Sequence, residues 1–132
     1  MVAEKFLKQY ELLINKAKVD LKVAKNILRD FNNGDDELDL EVVMFHLQQS
    51  TEKILKSILD LNSIKFPRTH DIEELINLLK ESKIDLNYNT IDKLIVLSDY
   101  AVEGRYGLIH DDMHDIDLFI GIISNLLDNI GY

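Results

Sequence analysis

The sequence predicts an all-α fold, an antiparallel up-and-down four-helix bundle with one extra short helix, and three observations predict it. A single proline, Pro67, and only five glycines leave most of the 132 residues open to uninterrupted helix. Apolar residues recur at three- and four-residue spacing in segment after segment. No stretch alternates convincingly like a half-buried strand.

The first helix carries Phe6, Tyr10, Leu13, Ala17, Ala24, Leu28 and Phe31 on one face and is stopped by Asn32, Asn33 and Gly34. The second, roughly Leu38 to Leu61, has a stripe at Leu40, Val43, Leu47, Thr51, Ile54, Ile58 and Leu61. Beside it runs a second stripe, Phe45, Leu55 and Leu59, with Gln48 and Glu52 between. A helix apolar on two sides belongs at the centre, and polar groups so placed need partners.

Asn62 to Arg68 reads as a turn because Pro67 restricts the residue before it and offers no backbone donor. The short third helix follows, capped by Thr69 or Asp71, with Glu74 three residues after Asp71 in a capping-box pattern and Ile72, Leu75, Ile76 and Leu79 facing inward. Ser82 to Asn87 breaks the pattern. A fourth helix then carries Ile91, Leu94, Ile95, Leu97 and Val102 to an end near Gly104. The last starts near Asp111 or Asp112 and presents Ile116, Phe119, Ile120, Ile123, Leu127 and Ile130, with Leu118, Ile122 and Leu126 widening that face.

Length and an apolar share of 46% fit one soluble globular domain over residues 1–132. The net charge of −9 argues against a large basic surface gripping nucleic acid, so any such role must be local. The acidity serves solubility or a basic protein partner. With no cysteine there is no disulfide, thiol nucleophile or thiolate metal ligand. Met1 to Tyr10 is charged within its first five residues and has no sustained apolar run, so a cytoplasmic protein without a membrane role is expected. The apolar surface of the second and last helices exceeds one bundle seam. Either it meets a second copy in a homodimer or it fills a thicker monomer core.

His46, His70, His110 and His114 are the groups suited to proton transfer near neutral pH. His110 and His114 share a helical face, yet the usual zinc pattern has a glutamate between such histidines, and Asp111, Asp112 and Met113 stand here. Neither a metal nor a cofactor is expected.

The run Phe45-His46-Leu47-Gln48-Gln49-Ser50-Thr51-Glu52-Lys53-Ile54-Leu55-Lys56 resembles the F-H-x-Q-Q-x-x-E-K-x-L-K signature of HEPN domains. Two more segments follow in the family's order. Pro67-Arg68-Thr69-His70-Asp71-Ile72 is similar to its P-x-T-H-D-L turn, and Tyr100-Ala101-Val102-Glu103-Gly104-Arg105-Tyr106 to its Y-A-x-x-x-R-Y segment.

The resemblance implies a helical dimer that binds nucleotide or RNA and works with a nucleotidyltransferase-type partner in a toxin–antitoxin-like pair. It also implies a second reading, a metal-independent endoribonuclease. Active members carry an arginine, four to six residues and a histidine near the start of the final helix, and Arg105 and His110 fit with four between. A histidine can take the proton of an RNA 2′-hydroxyl while an arginine holds the phosphate and its growing charge. Two protomers would bring their pairs into one cleft.

Tyr106 stands where active members have a small polar residue, and Asp111 and Asp112 either repel phosphate beside His110 or cap the last helix. Arg105 has a structural alternative, an inward pairing with Glu52. Gln49, Glu52 and Lys53, with Gln48 and Tyr106, form the candidate nucleotide-binding or polar-network set. A third reading is a purely structural helical interaction module.

Overall fold

The structure, a computed structural model, describes residues 8–35, 40–101 and 114–130. Its elements are α1 (Gln9–Asn32), α2 (Leu40–Leu61), α3 (Ile72–Glu81), a single turn α4 (Tyr88–Ile91) that passes into a 3-10 helix (Asp92–Tyr100), and α5 (Ile116–Asn129). There is no strand among the described residues, and the all-helical bundle expected from periodicity is the observed architecture.

α2 lies at the centre and packs against α1, α3, the 3-10 helix and α5. Twelve of its 22 residues are buried, which accounts for its two apolar stripes. α1 runs antiparallel to it: Tyr10 meets Ser57, Ala17 meets Ser50, and Asp20 meets His46 and Lys53. Ala17 and Ala24, one heptad apart and fully buried, let the two backbones come close. The Ser50 hydroxyl donates to the Ala17 carbonyl at 2.8 Å across that contact. The most buried large residues of α1 are Ile14 and Leu21 rather than Leu13 and Leu28, because α1 packs against α5 as well as α2.

Three helices end alike. After α1, α2 and α3 the chain turns through a left-handed residue, Gly34 (φ 99°), Ser63 (φ 59°) and Lys83 (φ 58°) respectively. In each case the next amide returns to the third-last carbonyl of the helix: Asp35 to Asp30, Ile64 to Leu59, Ile84 to Leu79. Gly34 does this at no steric cost; Ser63 and Lys83 pay for a conformation that L-residues avoid.

The fourth helix departs from its expected form. After one α-turn it is a nine-residue 3-10 helix, long for that conformation. Its buried residues explain the choice. Ile91, Leu94, Leu97 and Tyr100 recur every three residues, the spacing that a 3-10 helix stacks into one row. The Ser98 hydroxyl in this segment accepts the Ile72 amide at 2.9 Å and so holds the start of α3. Asp71 is the α3 cap, accepting the Glu73 amide at 3.0 Å, while Thr69 accepts the Asp71 amide in the place the capping box would give Glu74. α5 is regular from Ile116, after a short turn at His114 and Asp115. The expected end of the fourth helix near Gly104 and start of the last near Asp111 lie outside the described residues.

Candidate functional site

The signature helix α2 carries polar side chains along two rows. His46, Ser50, Lys53 and Ser57, at spacings of four, three and four, face α1. Gln48, Glu52 and Lys56, four apart, lie beside the connection between α2 and α3. In the first row Ser50 and Ser57 donate to the Ala17 and Tyr10 carbonyls, and the charged members of each row meet at one carboxylate.

On the α1 side the carboxylate is Asp20. His46 Nδ1 lies 3.1 Å from Asp20 Oδ1, and Lys53 Nζ bonds Asp20 Oδ2. All three are largely shielded, with side-chain exposures of 13% for Asp20, 22% for Lys53 and 23% for His46. A half-buried carboxylate held by two potential cations ties α1 to α2 at a fixed register.

On the other side the carboxylate is Glu52, whose side chain is 6% exposed. His70 Nδ1 is 2.6 Å from Glu52 Oε1, Gln48 Nε2 donates to the same oxygen at 3.4 Å, and Lys56 Nζ stands 3.5 Å from Oε2. The buried Gln48 amide also donates to the His70 carbonyl at 3.3 Å and accepts from Gln49 Nε2 at 2.7 Å. Lys56 further caps the ring of Phe66 at 5.8 Å. The connection between α2 and α3 is thus pinned to α2 by both backbone and side chain of His70. The imidazole itself stays 67% exposed, so a carboxylate orients one ring nitrogen while the rest of the ring meets solvent.

Of the residues singled out from the sequence, Gln49 and Glu52 belong to one network and Lys53 to the other, on a separate flank of α2. Arg105, Tyr106 and His110, with Asp111 and Asp112, lie outside the described residues, as does the alternative pairing of Arg105 with Glu52. Asp20 was not foreseen. It is an acid inside a lysine-rich helix, and only the register of α1 against α2 shows what it pairs with. His70 stood out in the sequence, but its bond to Glu52 depends on how the turn at Pro67 folds back.

No helix of the described residues is long and apolar enough to cross a membrane. A protein of Methanocaldococcus jannaschii named "Putative toxin MJ1304" is 33% identical over 106 residues, which cover 76% of this chain. The chain spans 64% of that relative's length. The fold matches the crystal structure of an archaeal HEPN homologue with a TM-score of 0.64 at 21% identity, over 92% of this chain and 94% of that one. The HEPN domain family model matches residues 10–129, a span that holds both polar networks, and the chain belongs to the HEPN family.

Proposed function

We propose that this chain is the HEPN component of a toxin–antitoxin-like pair, a homodimer that binds nucleotide or RNA and acts with a nucleotidyltransferase-type partner. The observation that carries the reading is the 33% identity to the Methanocaldococcus protein whose name assigns it, as a candidate, to the toxins. The two networks on α2 fit a scaffold role. They fix α1 and the α2–α3 connection on the central helix and leave binding to the segment between the 3-10 helix and α5 and to a second copy.

The spacing of Arg105 and His110 favours a specific chemical version, metal-independent RNA cleavage. His110 would take the 2′-hydroxyl proton, the 2′-oxygen would attack the adjacent phosphorus, and the 5′-oxygen would leave and take up a proton, giving a 2′,3′-cyclic phosphate. Arg105 would stabilise the charge on the phosphoryl oxygens.

Inducible expression in a bacterial host tests the toxin reading: growth should arrest, and a nucleotidyltransferase encoded beside the gene should relieve it. Normal growth at high expression would remove it. Incubating purified protein with RNA in a chelator tests the chemistry. Cleavage is expected from the wild type and a loss of at least 100-fold from Arg105→Ala and His110→Ala; equal cleavage by all three would exclude this pair.

A further inference from the structure

The net charge of −9 conceals an uneven distribution. Five of the chain's fifteen lysines and arginines lie in α1: Lys16, Lys18, Lys22, Lys25 and Arg29. Four of them, Lys18, Lys22, Lys25 and Arg29, are spaced four, three and four residues apart, and all four are exposed. At 100° per residue that spacing places them within about 60° of arc, in a straight ridge about 16 Å long.

The acids of the same helix do not cancel this ridge. Asp20 is turned toward α2 and bound by Lys53 and His46. Asp30 stands 3.5 Å from Arg29 and takes part of that one charge. Glu11 lies on the same side but seven residues before Lys18, about 10 Å away along the axis. Lys18, Lys22 and Lys25 make no ion pair with any described residue. Three exposed ammonium groups in line repel one another, and an acidic protein gains nothing in solubility from a concentrated basic row.

We infer that the exposed ridge of α1, Lys18, Lys22, Lys25 and Arg29, is a docking surface for the phosphate backbone of RNA. The occupant follows from the chemistry of the ridge. Linear spacing and four flexible, exposed cations, three of them without an ion pair to any described residue, suit a linear polyanion, and the few apolar groups on this flank offer no seat for a protein partner's core residues. The inference rests on the RNA reading above and deepens it, since it supplies the local basic surface that such a role needs on an acidic chain. It favours RNA over a free nucleotide, which would engage one or two of these cations at most.

Fluorescence anisotropy with a labelled 20-nucleotide oligouridylate tests this on the full chain. Three proteins are compared: wild type, Lys18→Ala/Lys22→Ala/Lys25→Ala, and a control with the same charge change elsewhere, Lys16→Ala/Lys65→Ala/Lys93→Ala. All the replaced lysines are exposed, so the fold should persist in each. Affinity should fall about 10- to 100-fold for the ridge variant at 0.1 M salt, and its salt slope should drop by about 0.7 per lysine removed. The control should stay within about 3-fold of wild type.

Equal weakening of both variants, or a ridge variant that binds like wild type, overturns the ridge. So does a wild type that binds no RNA but captures a basic-ridge partner such as an acidic protein. The growth assay on the same proteins separates the two claims. A ridge variant that arrests growth and binds RNA as wild type does removes the ridge alone; a wild type that does neither removes the reading beneath it.

Discussion

Glu52 shows how much one side chain can hold. It receives Gln48, Lys56 and His70 while nearly fully buried. Replacing it by alanine leaves the Lys56 ammonium, which is only 15% exposed, without its carboxylate, and takes one acceptor from the fully buried Gln48 amide, which keeps the His70 carbonyl. Glu52→Ala is therefore expected to lower unfolding free energy by about 2–4 kcal/mol, since losing one partner of a buried pair leaves the other charge uncompensated. Glu52→Gln keeps an acceptor for Gln48 and should cost about half as much. Denaturant unfolding measures both, and a loss below about 0.5 kcal/mol for the alanine variant would show that the network is ornamental. Much of this network was legible in the sequence: Gln48 and Glu52 interrupt an apolar stripe, and Lys56 is four residues on from Glu52. His70 and Asp20 were not legible as partners, because their positions depend on a turn and on an interhelical register that no local pattern encodes.

At the scale of elements, the three helix ends differ in how openly the sequence announces them. Asn33 and Gly34 mark the end of α1, whereas Ser63 and Lys83 occupy the same left-handed position without the residue that favours it. Both sites are exposed, so glycine can be introduced there without opening a cavity. Lys83→Gly and Ser63→Gly should each stabilise the fold by about 0.5–1 kcal/mol, a rise of a few degrees in melting temperature. Unchanged or lowered melting temperatures would mean that the extra freedom of the unfolded chain outweighs the relief of the left-handed strain. The 3-10 helix was hidden for a different reason. Ile91, Leu94, Leu97 and Tyr100 fit a period of three, but Ile95 also lies at helical spacing from Ile91, and a four-residue sample of either period is too short to decide. Packing of the three-residue row against α2 and α3 settles the matter in the folded chain.

The whole molecule raises the question of what its surplus apolar surface is for. On α2 the Leu55 and Leu59 of the second stripe are fully buried inside the monomer, whereas its Phe45 is only partly covered. Among the described residues, the large hydrophobics that stay exposed are Leu12, Val19, Leu61, Val96 and Leu118, at 37–61% each. Scattered exposed aliphatics are ordinary, but Leu12 and Val19 lie one heptad apart on α1, and Leu118 is on the wide face expected of the last helix. The proposed homodimer therefore has apolar positions to draw on outside the core, and it makes a prediction at this scale. Light scattering after size exclusion should give a mass about twice the 15.3 kDa of the chain, and the melting temperature should rise with protein concentration because association favours the folded state. Leu118→Glu tests whether α5 lies in the contact: a monomer with unchanged helicity places it there, while a dimer of wild-type affinity moves the interface elsewhere, with the Leu12 and Val19 pair as the next position to charge. A wild-type monomer whose melting temperature ignores concentration would remove the shared cleft. Arg105 and His110 would then have to meet a substrate within one chain, whose single arginine would have to offset the two acids that follow His110 in the sequence.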